Sequence, residues 1–195
     1  MNSSVRDVRV VDEVSAGDYR NAMRRLAGGV SLITAGRDKD ISGMTVTSVT
    51  SLSVEPAALI VSVNRSASSW PLIRRYSGFG VSILNADQLD VANRFTGKGG
   101  LKGAERFVGA EWFTLASGVP LLSGALAAID CEVDEVFERH SHAIVVGRVL
   151  DLQLSSHTAA LAYWQGQYLT IDHDEDAIRL ADVSLPVPRE CQSKV

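Results

Sequence analysis

The chain has 195 residues, which suits one domain of ordinary size, and 46% of them are apolar, enough for a sizeable core. Charges of both signs are interspersed with a formal net charge of −4, so no basic patch of the kind that binds nucleic acid is present. The two cysteines make no disulfide framework, the N-terminus lacks the apolar block of a signal peptide, and no run approaches the roughly 18 apolar residues of a membrane span; we therefore expect a cytoplasmic protein that does not contact a membrane.

The first predicted element is a helix in the stretch SAGDYRNAMRRLAGG, after a loose arm at residues 1–14. Ser15 is placed to cap its N-terminus, and Asp18 in the first turn suits the positive end of the helix dipole. Three apolar side chains at helical spacing would form one face: Tyr19, Met23 and Leu26. The glycine pair at 28–29 is expected to end the helix.

Short strands with a few inserted helices are predicted for the rest of the domain, which we place at residues 15–171, before an acidic tail at 172–195. Strands are expected at 30–36, 43–54, 57–64, 78–84, 125–138, 142–154 and 161–171, and helices at 66–76, 85–95 and around 104–107. The strand at 57–64 is apolar almost throughout, which favours a central position covered on both faces. Because strands do not alternate one-to-one with helices, the pattern predicts a mainly β, closed or partly closed antiparallel barrel rather than a parallel sheet.

An unusual density of hydroxyl groups marks the second predicted strand. Six of the nine residues from 45 to 53 carry one: Thr45, Thr47, Ser48, Thr50, Ser51 and Ser53. Each buried hydroxyl needs a partner, since leaving it unpaired costs roughly 1–3 kcal/mol. Three interpretations remain open: an exposed strand edge, local hydrogen bonds to the backbone, or a wall that faces a polar ligand.

A cationic turn follows about fifteen residues later. Its polar residues are Asn64, Arg65, Ser66, Ser68 and Ser69, at the start of a predicted helix. Free N–H groups, serine hydroxyls and a guanidinium together suit a phosphate, although an ordinary helix cap beside a solvated arginine would look the same. Taken with the hydroxyl-rich strand, the turn indicates a site for a large polar ring system with a phosphate tail.

Other catalytic motifs are missing. The sequence has no Walker motif, no G-x-S-x-G nucleophile elbow and no zinc-spaced cysteine or histidine cluster. His140 and His142 are two residues apart but lack a nearby third ligand, so no metal site is expected.

Several segments resemble the short-chain flavin reductase family, the NAD(P)H:flavin oxidoreductases that serve two-component flavin monooxygenases. They are LAGGVSLITA, TSVTSLSVEP, FGVSIL, HAIVVGRV and AYWQGQY. The resemblance implies a split antiparallel β-barrel of the flavin reductase type, assembled as a homodimer. It also implies that FAD or FMN is reduced by NADH or NADPH and passed to a separate monooxygenase. A non-catalytic flavin- or haem-binding protein and an FMN-retaining oxidase of the pyridoxine-phosphate type are the alternatives.

The same resemblance assigns residues to roles. It implies that the flavin is bound by Thr45, Val46, Thr47, Ser48, Thr50 and Ser51, by Asn64, Arg65, Ser66, Ser68 and Ser69 at the phosphate, and by Asn93, Arg94 and Phe95. His142 matches the family histidine and would be catalytic, whereas the two residues before it depart from the family pattern. The nicotinamide nucleotide would contact His142, Tyr163, Trp164 and Tyr168. The alternatives are a surface histidine and ordinary aromatic packing.

Overall fold

The computed structural model describes residues 13–172. The strands in this range are β1 (Gly28–Gly29), β2 (Ser31–Arg37), β3 (Asp40–Val46), β4 (Thr50–Val54), β5 (Ala57–Asn64), β6 (Gly78–Ile83), β7 (Trp112–Phe113), β8 (Leu121–Leu122), β9 (Ala127–Arg139), β10 (His142–Leu154), β11 (Ala160–Trp164) and β12 (Gln167–Ile171). The helices are α1 (Ala16–Met23), α2 (Trp70–Tyr76) and α3 (Leu89–Phe95), with 3₁₀ turns at Ala86–Gln88 and Gly103–Phe107. None of these helices is long and apolar enough to cross a membrane. The predicted arm and tail lie outside the described residues, apart from residues 13, 14 and 172.

Antiparallel sheets dominate the fold. The main sheet has seven strands in the order β3-β2-β6-β9-β10-β5-β4, and a three-stranded sheet has the order β1-β11-β12. Every pairing between the strands given above is antiparallel. The predicted mainly β, antiparallel class with few helices is therefore confirmed. The predicted hairpin at the polar corner ERHSH is confirmed too, because His142 pairs with Arg139 where β9 turns into β10.

Strand β2 is buried on both faces and separates two apolar clusters. Ile33 and Ala35 face a cluster that includes Phe79. Leu32 points the other way, into a cluster in which Phe95 contacts Phe107 with ring centroids 5.0 Å apart. This opposite placement follows from the alternation of side chains along a strand.

The predicted end of the first helix and the predicted central position of β5 are wrong. Helix α1 ends at Met23, and Gly28–Gly29 form β1 beside β11 instead of a helix end. Ser15 does cap α1, but the expected apolar face is not buried: Tyr19 is 62% exposed. Strand β5 is second from the edge of the main sheet, and burial alternates along it because, within one chain, one face alone packs on the core.

Close packing around Gly147 gives a stability prediction. A Cβ atom added at this residue of β10 would lie 2.4 Å from Cζ of the fully buried Phe79 ring. We therefore expect Gly147→Ala to lower the free energy of unfolding by about 1–3 kcal/mol, because the core must shift to admit the methyl group. Urea denaturation of Gly29→Ala is the control, since nothing lies within 4 Å of a Cβ at Gly29. Equal midpoints for the two variants would contradict this account.

Candidate functional site

The hydroxyl-rich stretch is a corner between two strands. Strand β3 ends at Val46 and β4 begins at Thr50, so the predicted continuous strand is wrong between these residues. Ladder pairing stops over residues 47–49, and their N–H groups take part in no described backbone hydrogen bond. The corner therefore offers free backbone donors beside several hydroxyl groups.

A groove of about 310 Å³ lies against this corner. It is lined by Val30, Thr45, Val46, Thr47, Asn93, Thr96, Lys98, Tyr163, Gly166 and Tyr168. The volume is in the range of about 300–1,000 Å³ that small-ligand clefts occupy. Lys98 is the charged residue among the described residues of this lining, so the groove favours polar and anionic ligands over cations.

Two tyrosines form the aromatic wall of the groove. The rings of Tyr163 and Tyr168 meet edge to face with centroids 5.2 Å apart, as cross-strand partners on β11 and β12. Burial, with a smaller effect from Tyr163, raises the pKa of Tyr168 above its ordinary value. The Tyr168 phenol therefore stays protonated at neutral pH and remains a hydrogen-bond donor.

On the opposite side, the groove is held in place by helix α3. Thr45 Oγ1 donates to the carbonyl oxygen of Ala92 over 2.5 Å, which ties the end of β3 to α3. Asn93 is the next residue and faces the groove. The Asn85 side chain accepts from the N–H of Asp87 and so caps the 3₁₀ turn that leads into α3.

The predicted phosphate-binding residues form a separate cluster at the end of β5, which we term the arginine corner (residues 64–66 with 138–142). Arg65 Nη2 lies 2.8 Å from Glu138 Oε2, and its Nη1 donates to the carbonyl oxygen of His140. Arg74 lies 2.7 Å from the same carboxylate. Two guanidiniums thus share one carboxylate, which leaves a net positive charge in this corner.

His142 belongs to the arginine corner and not to the groove lining. It pairs with Asn64 across β10 and β5, and its Nδ1 lies 2.9 Å from Ser141 Oγ. Its side chain is exposed, on the same sheet face as Ile144 because the two residues are two apart on one strand. Within one chain the structure therefore divides the predicted site between the groove and this corner.

Several predicted residues are turned away from both places. Arg94 donates to the carbonyl oxygen of Val108, and Phe95 is buried in the core. Trp164 Nε1 donates to the carbonyl oxygen of Arg25. Helix α2 begins at Trp70, so the predicted helix start at Ser66 is wrong.

The serines of that segment have local roles. The Ser66 hydroxyl and N–H donate to Asn64 Oδ1, and Ser68 bonds Ser42. Ser69 is fully buried. On the hydroxyl-rich stretch, Ser48 donates to the carbonyl oxygen of Ser62, while Thr50 and Ser51 pair with β5. An anion at this corner would therefore meet the Arg65 side chain and not a helix N-terminus.

From the sequence, no site role was assigned to four groove residues: Val30, Thr96, Lys98 and Gly166. Thr96 Oγ1 accepts from the N–H of Lys98, which fixes the start of the glycine-rich loop against the groove. A lysine between glycines directly after a predicted site helix was the available signal. Gly166 lies in the turn between β11 and β12, and the pairing of β11 with β1 brings this turn to the groove.

Comparison with known proteins identifies relatives over most of the chain. The model for the flavin reductase like domain matches residues 23–172. The FMN reductase (NADH) RutF of Stutzerimonas stutzeri strain A1501 is 38% identical over 151 residues, which cover 77% of this chain and 86% of that protein.

Solved structures show the same fold. BorF, the flavin reductase component of a bacterial two-component tryptophan halogenase, superposes with a TM-score of 0.75 at 31% identity, covering 81% of this chain and 99% of that one. The Streptomyces globisporus C-1027 NADH:FAD oxidoreductase SgcE6, solved in complex with NAD and FAD fragments, gives a TM-score of 0.73 at 25% identity, covering 84% and 99%.

Proposed function

Because the chain belongs to the flavin reductase family, we propose that it uses NADH or NADPH to reduce FAD or FMN and releases the reduced flavin to a separate enzyme. The observation that carries the proposal is the groove, in which the corner at 45–47, Asn93 and the pair Tyr163 and Tyr168 meet. These are residues that the family resemblance assigned to binding the flavin and the nicotinamide. Their meeting in one groove supports a site where two ring systems lie in contact.

The lining fits a flavin ring chemically. Bound flavin supplies the hydride-accepting ring, so the protein needs neither a nucleophile nor a metal. Free N–H groups of Thr47 and Ser48 and the Thr47 hydroxyl can donate to the polar edge of the ring, where negative charge develops on reduction. Asn93 offers both a donor and an acceptor. Tyr163 and Tyr168 exclude water from one side and hold the nicotinamide against the flavin.

The flavin phosphate is assigned to the arginine corner. We expect Arg65→Ala combined with Ser66→Ala to weaken flavin binding by about 10–100-fold, because charge-assisted hydrogen bonds contribute about 1.5–3 kcal/mol each. Fluorescence titration of FAD and FMN measures the change, with Arg75→Ala as control, since Arg75 pairs with Asp40 elsewhere. Unchanged dissociation constants would place the phosphate at another site.

A homodimer accounts for an apolar sheet face that one chain leaves uncovered. Phe137 and Ile144 are cross-strand neighbours with exposures of 48% and 42%, and Ile60 lies on the adjoining strand. We call Ile60, Phe137 and Ile144 the outer face. An antiparallel sheet that meets water on one side normally alternates apolar and polar residues. Coverage by a second copy would also enclose His142, which lies at the end of this face.

The proposed function also concerns the barrel, the cellular location and the enzyme that receives the reduced flavin. We infer that a split barrel is completed by the sheets of residues 15–171, and that the protein acts in the cytoplasm. The consumer of reduced flavin would be a flavin-dependent monooxygenase, and the likeness to a flavin reductase component of a two-component system supports a diffusing flavin.

Following NADH and NADPH absorbance with FAD and then FMN tests the function directly. We expect oxidation that requires added flavin and exceeds the protein-free rate by more than tenfold. Gel filtration after reduction distinguishes a reductase, which releases flavin, from an oxidase of the pyridoxine-phosphate type, which retains it. No oxidation with either flavin would overturn the proposal and favour a non-catalytic binding protein.

A further inference from the structure

A second concave site lies beside the groove, at the end of α1. It has a volume of about 340 Å³ and is lined by Asn21, Arg24, Arg25 and Gln165. Two hydrogen bonds join the backbone on its two sides: the N–H of Gln165 donates to the carbonyl oxygen of Arg24 over 2.9 Å, and Trp164 Nε1 donates to that of Arg25 over 3.1 Å. We call this site the arginine pocket.

The chemistry of this pocket suits a phosphate. Two guanidiniums and two amides line it, with no carboxylate and no apolar side chain. Across residues 13–172, the ion pairs engage Arg65, Arg74, Arg75 and Arg148, so Arg24 and Arg25 have no carboxylate partner there. Adjacent uncompensated cations repel each other, and guanidiniums bind phosphate oxygens with a matching two-pronged geometry.

The pocket and the groove adjoin the same turn of the chain. Gln165 lines the pocket and Gly166 lines the groove, and both form the tight turn between β11 and β12 with φ angles of 49° and 86°. The aromatic wall of Tyr163 and Tyr168 flanks the same turn. A ligand whose ring lies on this wall can therefore extend over the turn and reach Arg24 and Arg25.

We propose that the arginine pocket binds a phosphate of the hydride donor, while the flavin phosphate lies at the arginine corner. This inference rests on the proposed function, since it assigns the nicotinamide to the groove. A dinucleotide carries its pyrophosphate one ribose away from the nicotinamide, and NADPH carries a further phosphate on the adenosine ribose. Both sources present the same phosphate oxygens to the two arginines.

Donors that differ in phosphate content test the proposal. We would measure kcat/KM of the whole protein and of Arg24→Gln/Arg25→Gln with NADH, NADPH and dihydronicotinamide riboside, which has no phosphate, at saturating flavin. We expect kcat/KM for the dinucleotides to fall by about 10–100-fold and that for the riboside by less than about twofold. Equal losses with NADH and NADPH indicate the pyrophosphate, and a loss with NADPH alone indicates the ribose phosphate. Arg20→Gln/Lys39→Gln removes the same charge outside the pocket and controls for long-range attraction.

Other results of these measurements would contradict the proposal. Equal effects on all three donors, or an equal loss in the control variant, would overturn the proposal. If the unaltered protein oxidises no donor, the proposed function fails, and calorimetry with ADP-ribose and with 2′-phospho-ADP-ribose then decides the pocket separately. Binding by the unaltered protein that weakens in Arg24→Gln/Arg25→Gln would support a phosphate site, and absence of binding by the unaltered protein would overturn it.

Discussion

Replacing Ile144 by Asp is expected to convert the protein into monomers and to lower flavin reduction by at least tenfold. Ile144 lies on the outer face, with Phe137 opposite it on β9 and Ser62 opposite it on β5. A carboxylate buried there by a second copy would lose its hydration among Ile60 and Phe137, and such burial costs several kcal/mol. Since His142 lies two residues away on the same face, loss of the partner would also expose the arginine corner to water.

Light scattering coupled to gel filtration measures the mass, and the flavin-dependent oxidation of NADH measures turnover. Val108→Asp is the matched control, because Val108 is 70% exposed on a loop away from this face. It should retain both the dimer and the activity. A monomeric unaltered protein, or a dimeric and active Ile144→Asp variant, would show that the outer face is not the contact between copies.

The second large effect is expected from His142→Ala, which should lower kcat by about 10–100-fold while flavin affinity changes less than about twofold. The reason is geometric: Ser141 Oγ lies 2.9 Å from Nδ1, which leaves Nε2 for the carboxamide of the donor once a second copy covers the outer face and brings its groove to the arginine corner. Losing such a bond to a reacting ligand costs roughly 1–3 kcal/mol, which acts on the rate.

Single-turnover reduction of bound flavin, followed by absorbance, separates this effect from binding. His157→Ala provides the comparison, since His157 lies in a different cavity, with Leu154 and Ser155. A full-rate His142→Ala variant would assign His142 to the surface. It would also indicate that the arginine corner and the groove do not share one catalytic centre.

Much of the fold could be predicted from the sequence, because the patterns that indicate helix caps, turns and strands are local. The Ser15 cap, the β9–β10 hairpin and most strand segments depend on residues a few positions apart. The ends of helices and strands were harder to predict. Helix α1 is shorter than its sequence pattern suggests, and the hydroxyl-rich strand is interrupted at residues 47–49. Such ends are set by partners distant in sequence, such as the pairing of Gly28 with Tyr163.

By itself, the sequence determined the chemistry available to the site: hydroxyl groups at 45–53, an arginine after β5, and the motifs of the flavin reductase family. Only the tertiary structure decided which of these groups meet. It brought Thr47, Asn93 and Tyr168 into one groove, turned Arg94 and Phe95 away, and left His142 at the end of an uncovered sheet face. The reason is that side-chain type is a local property, whereas contact depends on strand order and register, which are set by burial across the whole chain.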